Sequence, residues 1–202
     1  MIIWLVRHGV CKTDVACPWP ALVPLTCTGW KQANAIAASC QEIPALVVTS
    51  SFLRSQQTAI PLLQKFSIQS QIWPVHEFTY LGRLHGQPLS KLQRLQFVEA
   101  YWSQLDPTLT DEAESFVTFM LRIQGIVQRL LSLDKPFIVV FTHEMVIRAI
   151  QLVLSSDGAL NITPTLMADF RCTLLQEPFP TGTILPIRIQ DNRPRGDGLV
   201  YH

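Results

Sequence analysis

The opening stretch Met1-Ile2-Ile3-Trp4-Leu5-Val6-Arg7-His8-Gly9 decides how the rest of the chain is read. Met1 to Val6 is almost continuously apolar, so a strand there has no face suited to water. Strands buried on both faces belong to largely parallel sheets covered by helices. Arg7-His8-Gly9 then follows at the strand's carboxyl end, where open α/β sheets gather their reactive groups.

Working outward, the same arrangement recurs. Ala45 to Thr49 is a short apolar strand followed by Ser50, Ser51 and Arg54, and Phe137 to Phe141 is another, followed by Thr142-His143-Glu144. Ile72–Trp73, Cys172 to Leu175 and Thr183 to Ile189 read as further strands. Between them, Thr28 is placed to cap a helix reaching about Gln41 with Trp30, Ala33 and Ala37 on one face. Ser51 is placed to cap the next, with Leu53, Ile60 and Leu63 on its buried side and Pro61 as a potential kink. Leu89 to Ser103 and Met145 to Leu154 have helical spacing. The strongest helix signal runs from Glu114 or Ser115 to Ser132, where Phe116, Phe119, Ile123, Ile126, Val127 and Leu130 recur at three- and four-residue intervals. Cys11 to Pro24 is irregular, with Pro18, Pro20 and Pro24 blocking regular structure. Strand and helix in alternation predict a layered α/β domain. No repeat or linker divides it, so residues 1–202 read as one domain with residues 191–202 loosely held.

Composition narrows the function. The 202 residues include 16 Lys+Arg against 15 Asp+Glu, a net charge of +1, which argues against a polyanion-binding module or an acidic tail. A chain of this length buries roughly 70% of its unfolded surface and needs no staples. Charged residues are 15% of the chain, which suits either an interface in a homodimer or a surface rich in uncharged Gln. Five cysteines, odd in number and without a Cys-x-x-Cys pair, read as free thiols of a reducing compartment. Met1-Ile2-Ile3-Trp4 lacks a cationic leader and no apolar run approaches the ~18 residues of a membrane span, so the expected location is cytoplasmic.

Two arginines and two histidines thus face one rim from three segments, and core packing asks for none of them. They suit phosphoryl transfer. A guanidinium holds phosphate oxygens bidentately, and a helix start near Ser51 adds unpaired amides at the same place. A neutral imidazole attacks phosphorus when one nitrogen is free and the other is fixed by a hydrogen bond. Gly9 would let backbone and substrate come close.

The constellation resembles the histidine phosphatase superfamily, also called the phosphoglycerate-mutase-like family. The residues that carry the resemblance are Leu5-Val6-Arg7-His8-Gly9, Pro24-Leu25-Thr26 with Gly29, Gln32 and Ala33, and Thr49-Ser50-Ser51-Phe52-Leu53-Arg54 with Gln57-Thr58-Ala59. Glu77 ahead of Gly82, Val140-Phe141-Thr142-His143 and Pro180-Thr181-Gly182-Thr183-Ile184 complete the order. The resemblance implies a three-layer α/β/α sandwich with a mostly parallel central sheet. It implies a phosphomonoesterase in which His8 becomes phosphohistidine, Arg7 and Arg54 bind the phosphoryl group and His143 donates to its oxygens. Glu77 would protonate the leaving alkoxide and then activate water. No metal or cofactor is implied, and the substrate would be a small phosphate ester or a phosphoprotein, with no nucleic acid or membrane partner.

Departures from the family pattern keep alternatives open. Asp14 stands where relatives carry an Asn near the phosphate, and the Glu77–Gly82 spacing is one residue longer than in many relatives. Glu144 replaces a small residue after His143. In the acid-phosphatase and phytase branch an acidic residue there is the proton donor, so Glu144 rivals Glu77 and otherwise lines the phosphate site or complements the helix dipole. His76 and His85 flank the Glu77 loop, and Phe78, Tyr80 and Trp102 read as a specificity wall or as core. Ser50 and Ser51 lack a Gly-x-Ser-x-Gly elbow, and Arg195-Gly196-Asp197 reads as chance. A phosphoglycerate mutase with the same quartet and a non-catalytic phosphate-binding protein are the competing readings.

Overall fold

The computed structural model describes residues 1–12, 20–82, 84, 87, 89–103, 113–156, 160–190 and 193–196; Asp14 and His85 lie outside them. The strands are β1 (Ile2–Arg7), β2 (Leu46–Thr49), β3 (Ser70–Ile72), β4 (Phe137–Thr142), β5 (Ile184–Gln190) and β6 (Arg193–Gly196). The helices are α1 (Cys27–Ser39), α2 (Leu53–Phe66), α3 (Lys91–Trp102), α4 (Phe116–Leu131), α5 (Glu144–Ser155) and α6 (Pro164–Gln176). All six strands form one sheet in the order β3-β2-β4-β1-β5-β6. β3, β2, β4 and β1 are parallel, while β5 and β6 run antiparallel to their neighbours.

Period-two alternation sends successive side chains to opposite faces and accounts for the unbroken apolar runs. Ile3 and Leu5 of β1, with Ile138 and Val140 of β4, join a core that includes Phe119, Ile123 and Val127 of α4, Ile147 and Ile150 of α5, and Phe170 of α6. Val6, Val139 and Phe141 join the other core, with Ile36 and Ala37 of α1 and Ala59 and Leu62 of α2. Helices therefore cover both faces, giving the expected three layers. No helix among the described residues is long and apolar enough to cross a membrane.

Several local expectations change. Thr26, not Thr28, caps α1: its hydroxyl accepts from Gly29 N while its own N–H is taken by Val10 O. Trp30 is only half-buried; Gly29, Ala33, Ile36 and Ala37 form the inner face. α2 starts behind Phe52 with no side-chain cap, its buried face is Arg54, Ser55, Thr58, Ala59 and Leu62, and it continues through Pro61 to Phe66. The expected strand Cys172–Leu175 is the last part of α6, which Thr163 caps and Pro164 begins, and whose Met167 and Phe170 are buried one turn apart. Within the stretch 191–202, Arg193–Gly196 pairs with Ile187–Gln190 as an edge strand, and residues 191–192 and 197–202 lie outside the described residues.

Candidate active site

Three strand ends and one helix start converge. His8 N donates to Thr142 O at 3.1 Å, which joins the ends of β1 and β4 and brings His8 beside His143, ring centres 5.1 Å apart. His8 Nδ1 lies 2.8 Å from Gly9 O, a contact that requires the proton on Nδ1 and leaves a lone pair on Nε2. Arg54, from the first turn of α2, donates its Nε to that lone pair at 3.1 Å. The Arg54 guanidinium also lies 4.8 Å over the Phe52 ring, which packs edge-on against His143 at 5.2 Å. His143 is fully buried, and its Nε2 lies 2.9 Å from Ser50 Oγ.

Both imidazoles are held neutral. Burial, with Arg54 next and Arg7 adding to it, lowers the His8 pKa to about 3 against a smaller opposing effect of the Gly9 carbonyl. Burial, then Arg54 and His8, push His143 well below the ordinary histidine value. A neutral His8 with a fixed Nδ1–H is a competent nucleophile at any pH above the acid range.

The loops around this centre are pinned by residues that the sequence motif contained but gave no role. Thr58 Oγ1 accepts from Gly9 N at 3.1 Å and donates to Arg54 O at 2.7 Å. Gln32 Oε1 takes Val10 N–H and its Nε2 reaches Thr181 O, both at 2.8 Å, while Gln57 Oε1 takes Leu25 N–H at 2.8 Å. Gly9 serves a close approach, but to α1: a Cβ there would lie 2.6 Å from Gly29 O and 2.9 Å from Gly29 Cα.

The two candidate carboxylates differ. Glu144 Oε2 pairs with Arg7 Nη1 at 2.8 Å and its Oε1 accepts Phe179 N–H at 2.8 Å, while Arg7 Nη1 also donates to Phe179 O. Glu77 accepts Phe78 N–H at 3.1 Å and lines a small cavity with Phe52, Arg54, Phe78, Thr79, Tyr80, Leu81 and Gly82. Burial raises the Glu77 pKa, against the opposing pull of Arg54, Phe78 N–H and Arg7. Its side chain is half-buried at the wall of that cavity. Phe78 is core, stacked 4.4 Å from Phe119, yet reaches the cavity with Tyr80; Trp102 packs behind it. His76 stacks on Phe52 at 5.9 Å. A larger cavity of about 490 Å³ lies between α5, α6 and β5, and none of the six candidate site residues lines it.

Arg7, His8, Arg54, Glu77, His143 and Glu144 therefore meet around one place, and the profile of the histidine phosphatase superfamily (branch 1) matches residues 3–172. The chain belongs to that superfamily. Solved structures agree in fold. A candidate alpha-ribazole-5'-P phosphatase from Escherichia coli K-12 superposes with a TM-score of 0.75 at 21% identity, over 98% of this chain and 95% of that one. The alpha-ribazole phosphatase of Shigella flexneri gives 0.73 at 21% identity, over 98% and 96%. A mycobacterial glucosyl-3-phosphoglycerate phosphatase, solved with VO3, gives 0.71 at 20% identity, over 97% and 96%. No curated protein matches the chain by sequence.

Proposed function

We propose that this superfamily member hydrolyses phosphate monoesters through a phosphohistidine formed on His8. The observation that supports it most is the neutral imidazole whose Nδ1–H is tied to Gly9 O and whose Nε2 lone pair faces the Arg54 guanidinium. A phosphoryl dianion is a better partner for Arg54 than an imidazole lone pair, so substrate entry draws the guanidinium onto phosphate and frees Nε2. The lone pair then forms the N–P bond while the bond from phosphorus to the leaving oxygen breaks, and the Glu77 proton goes to that oxygen. In the second half, Glu77 takes a proton from water as the water oxygen bonds to phosphorus. The N–P bond breaks, releasing inorganic phosphate and neutral His8. Arg54, Arg7 and His143 stabilise the charge spread over the equatorial oxygens in both steps. Glu144 holds Arg7 in place. The relatives named above are phosphatases by their names, which is the reaction class of the proposal. The depth of the histidines favours small phosphate esters as substrates.

The deciding experiment is para-nitrophenyl phosphate hydrolysis from about pH 4 to about pH 9, with chelator present, by wild type and His8→Ala. Wild type is expected to turn over and to yield an acid-labile phosphoprotein on quenching. His8→Ala is expected to lose at least about 10⁴-fold in kcat and to show no such adduct. Activity that survives His8→Ala overturns the mechanism. A wild type inert toward a panel of phosphate esters, yet raised in melting temperature by phosphate, supports a binding protein instead.

A further inference from the structure

We infer that Ser50 is a positioning residue: it dictates which nitrogen of His143 carries the proton and so keeps Nδ1–H as the donor for the phosphoryl oxygens. The inference rests on the role proposed for His143 and extends it to a residue that touches no substrate.

A serine hydroxyl has one hydrogen to give and two lone pairs to receive. Ser50 Oγ already receives Phe52 N–H, the start of α2, at 3.2 Å, and its second contact is His143 Nε2 at 2.9 Å. If the hydroxyl donates to Nε2, its hydrogen is used, Nε2 is the acceptor and the ring proton sits on Nδ1. In the opposite tautomer Nε2–H would donate to an oxygen that already receives Phe52 N–H. The Ser50 hydrogen, fully buried, would then have no acceptor among the described residues. Burying a polar hydrogen without a partner is unfavourable, so the first arrangement wins.

His143 Nδ1, which this arrangement leaves protonated, is buried and makes no hydrogen bond among the described residues. A buried donor left over next to two arginines and a nucleophilic histidine is a donor waiting for an anion. The reverse tautomer would present a lone pair to phosphoryl oxygens and repel them. Because His143 is held neutral by burial and by Arg54, extra protonation does not rescue the wrong tautomer.

Ser50 is also held where this selection requires it. Its N–H donates to Ser55 Oγ at 3.1 Å, and Ser55 Oγ donates onward to Phe141 O at 2.8 Å, so α2, the end of β2 and the end of β4 are fixed together. Ser51, its neighbour, is exposed and cannot substitute.

The test is long-range ¹H–¹⁵N NMR of protein labelled at histidine, with His143→Asn used only to assign the His143 signals. The expected wild-type spectrum has a protonated, pyrrole-type Nδ1 and an unprotonated, pyridine-type Nε2. In Ser50→Ala the Nε2–H form is expected to appear and kcat to fall about a hundredfold, the loss of one preset donor. Ser50→Thr, which keeps the hydroxyl, is expected to restore both the wild-type tautomer and most of kcat. A wild type protonated at Nε2 overturns the inference, and so does a Ser50→Ala protein that keeps Nδ1–H and full kcat. If Ser50→Ala does not fold, the wild-type spectrum still decides. That spectrum needs no turnover, so the two proposals fail separately. An inert enzyme with the expected tautomer sinks the phosphatase reading alone, whereas an active enzyme with the opposite tautomer sinks the role of Ser50 alone.

Discussion

Glu144 opens α5 with both carboxylate oxygens occupied, one by Arg7 at 2.8 Å and one by the Phe179 amide at 2.8 Å. Glu77, on the loop after β3, receives the Phe78 amide on one oxygen, has no further hydrogen bond among the described residues, and faces a cavity beside Arg54. Burial holds its carboxyl above the ordinary range. The sequence alone left these two acids as rivals for one proton-transfer role. Their surroundings differ in the way the proposed mechanism needs: an acid with both oxygens accepting hydrogen bonds suits an anchor, and an acid whose pKa is raised beside open space suits a donor. The largest expected effect belongs to the donor. Glu77→Gln should cost about 10³-fold in kcat on alkyl phosphates and far less on para-nitrophenyl phosphate, whose leaving oxygen needs little protonation.

The pH dependence has its origin in the same shift. In the proposed mechanism the protonated Glu77 starts the reaction, and its raised pKa extends that form to higher pH, so the rate on alkyl esters should fall as pH rises through the raised value. Glu77→Gln should erase this alkaline limb. The folded state also holds the Glu77 proton more tightly than the unfolded chain does. Its contribution to stability is therefore full at low pH and lost as pH rises through the folded value. An unchanged alkaline limb in Glu77→Gln, together with a uniform loss on both substrates, would break the distinction between the two acids.

Much of this was legible in the sequence, for identifiable reasons. β1 and β4 are central strands, so their sequences are apolar without interruption, and Arg7, His8 and His143 could be placed by their positions at the ends of such runs. α4 was legible because one helix face carries nearly all its large apolar side chains. Most of what the sequence left open was settled by a partner distant in sequence. Thr26 and Thr28 are both plausible caps, and the choice falls to Thr26 because Val10 O takes its N–H. Cys172–Leu175 is too short a window to show helical period, although Thr163-Pro164 carried the start signal. Gly9 is glycine because of Gly29, twenty residues away, and Ser50 matters because of His143.

The Glu77 side of the comparison rests on a second prediction of intermediate size. Arg122 of α4 donates its Nη1 to Pro74 O at 2.6 Å and to His76 O at 3.2 Å, on the loop just before Glu77. Its Nε and Nη2 pair with Glu114 at 2.7 Å each, and Glu114 N donates to Thr79 O at 3.2 Å, just after it. Thr142 Oγ1 ties Val75 O from below at 2.6 Å. The loop is thus held on both sides of an acid whose own tether is one amide. Arg122→Met should leave Glu114 with no cation and lower stability by about 3 kcal/mol, since breaking a largely buried pair leaves an uncompensated charge. Displacement of Glu77 should reduce kcat about tenfold, again more on alkyl than on aryl esters. Melting curves and the two-substrate ratio read these separately. A stability loss with an unchanged ratio would mean that the clamp supports the fold but does not aim the acid.

The smallest effect belongs to Glu144. In Glu144→Gln the amide oxygen still accepts one hydrogen bond, but the charge that fixes Arg7 is gone. Phe179 O continues to hold the guanidinium, so Arg7 is loosened, not lost. The expected result is a rise in KM of about threefold, near 0.6 kcal/mol of phosphate binding, with kcat altered less. The loss should be equal for alkyl and aryl esters, because the proposed mechanism has Arg7 bind the phosphoryl group that both share. A loss confined to alkyl esters would reverse the comparison. It would make Glu144 the proton donor despite its pairing with Arg7, and would leave Glu77 as a buried acid with no chemical task.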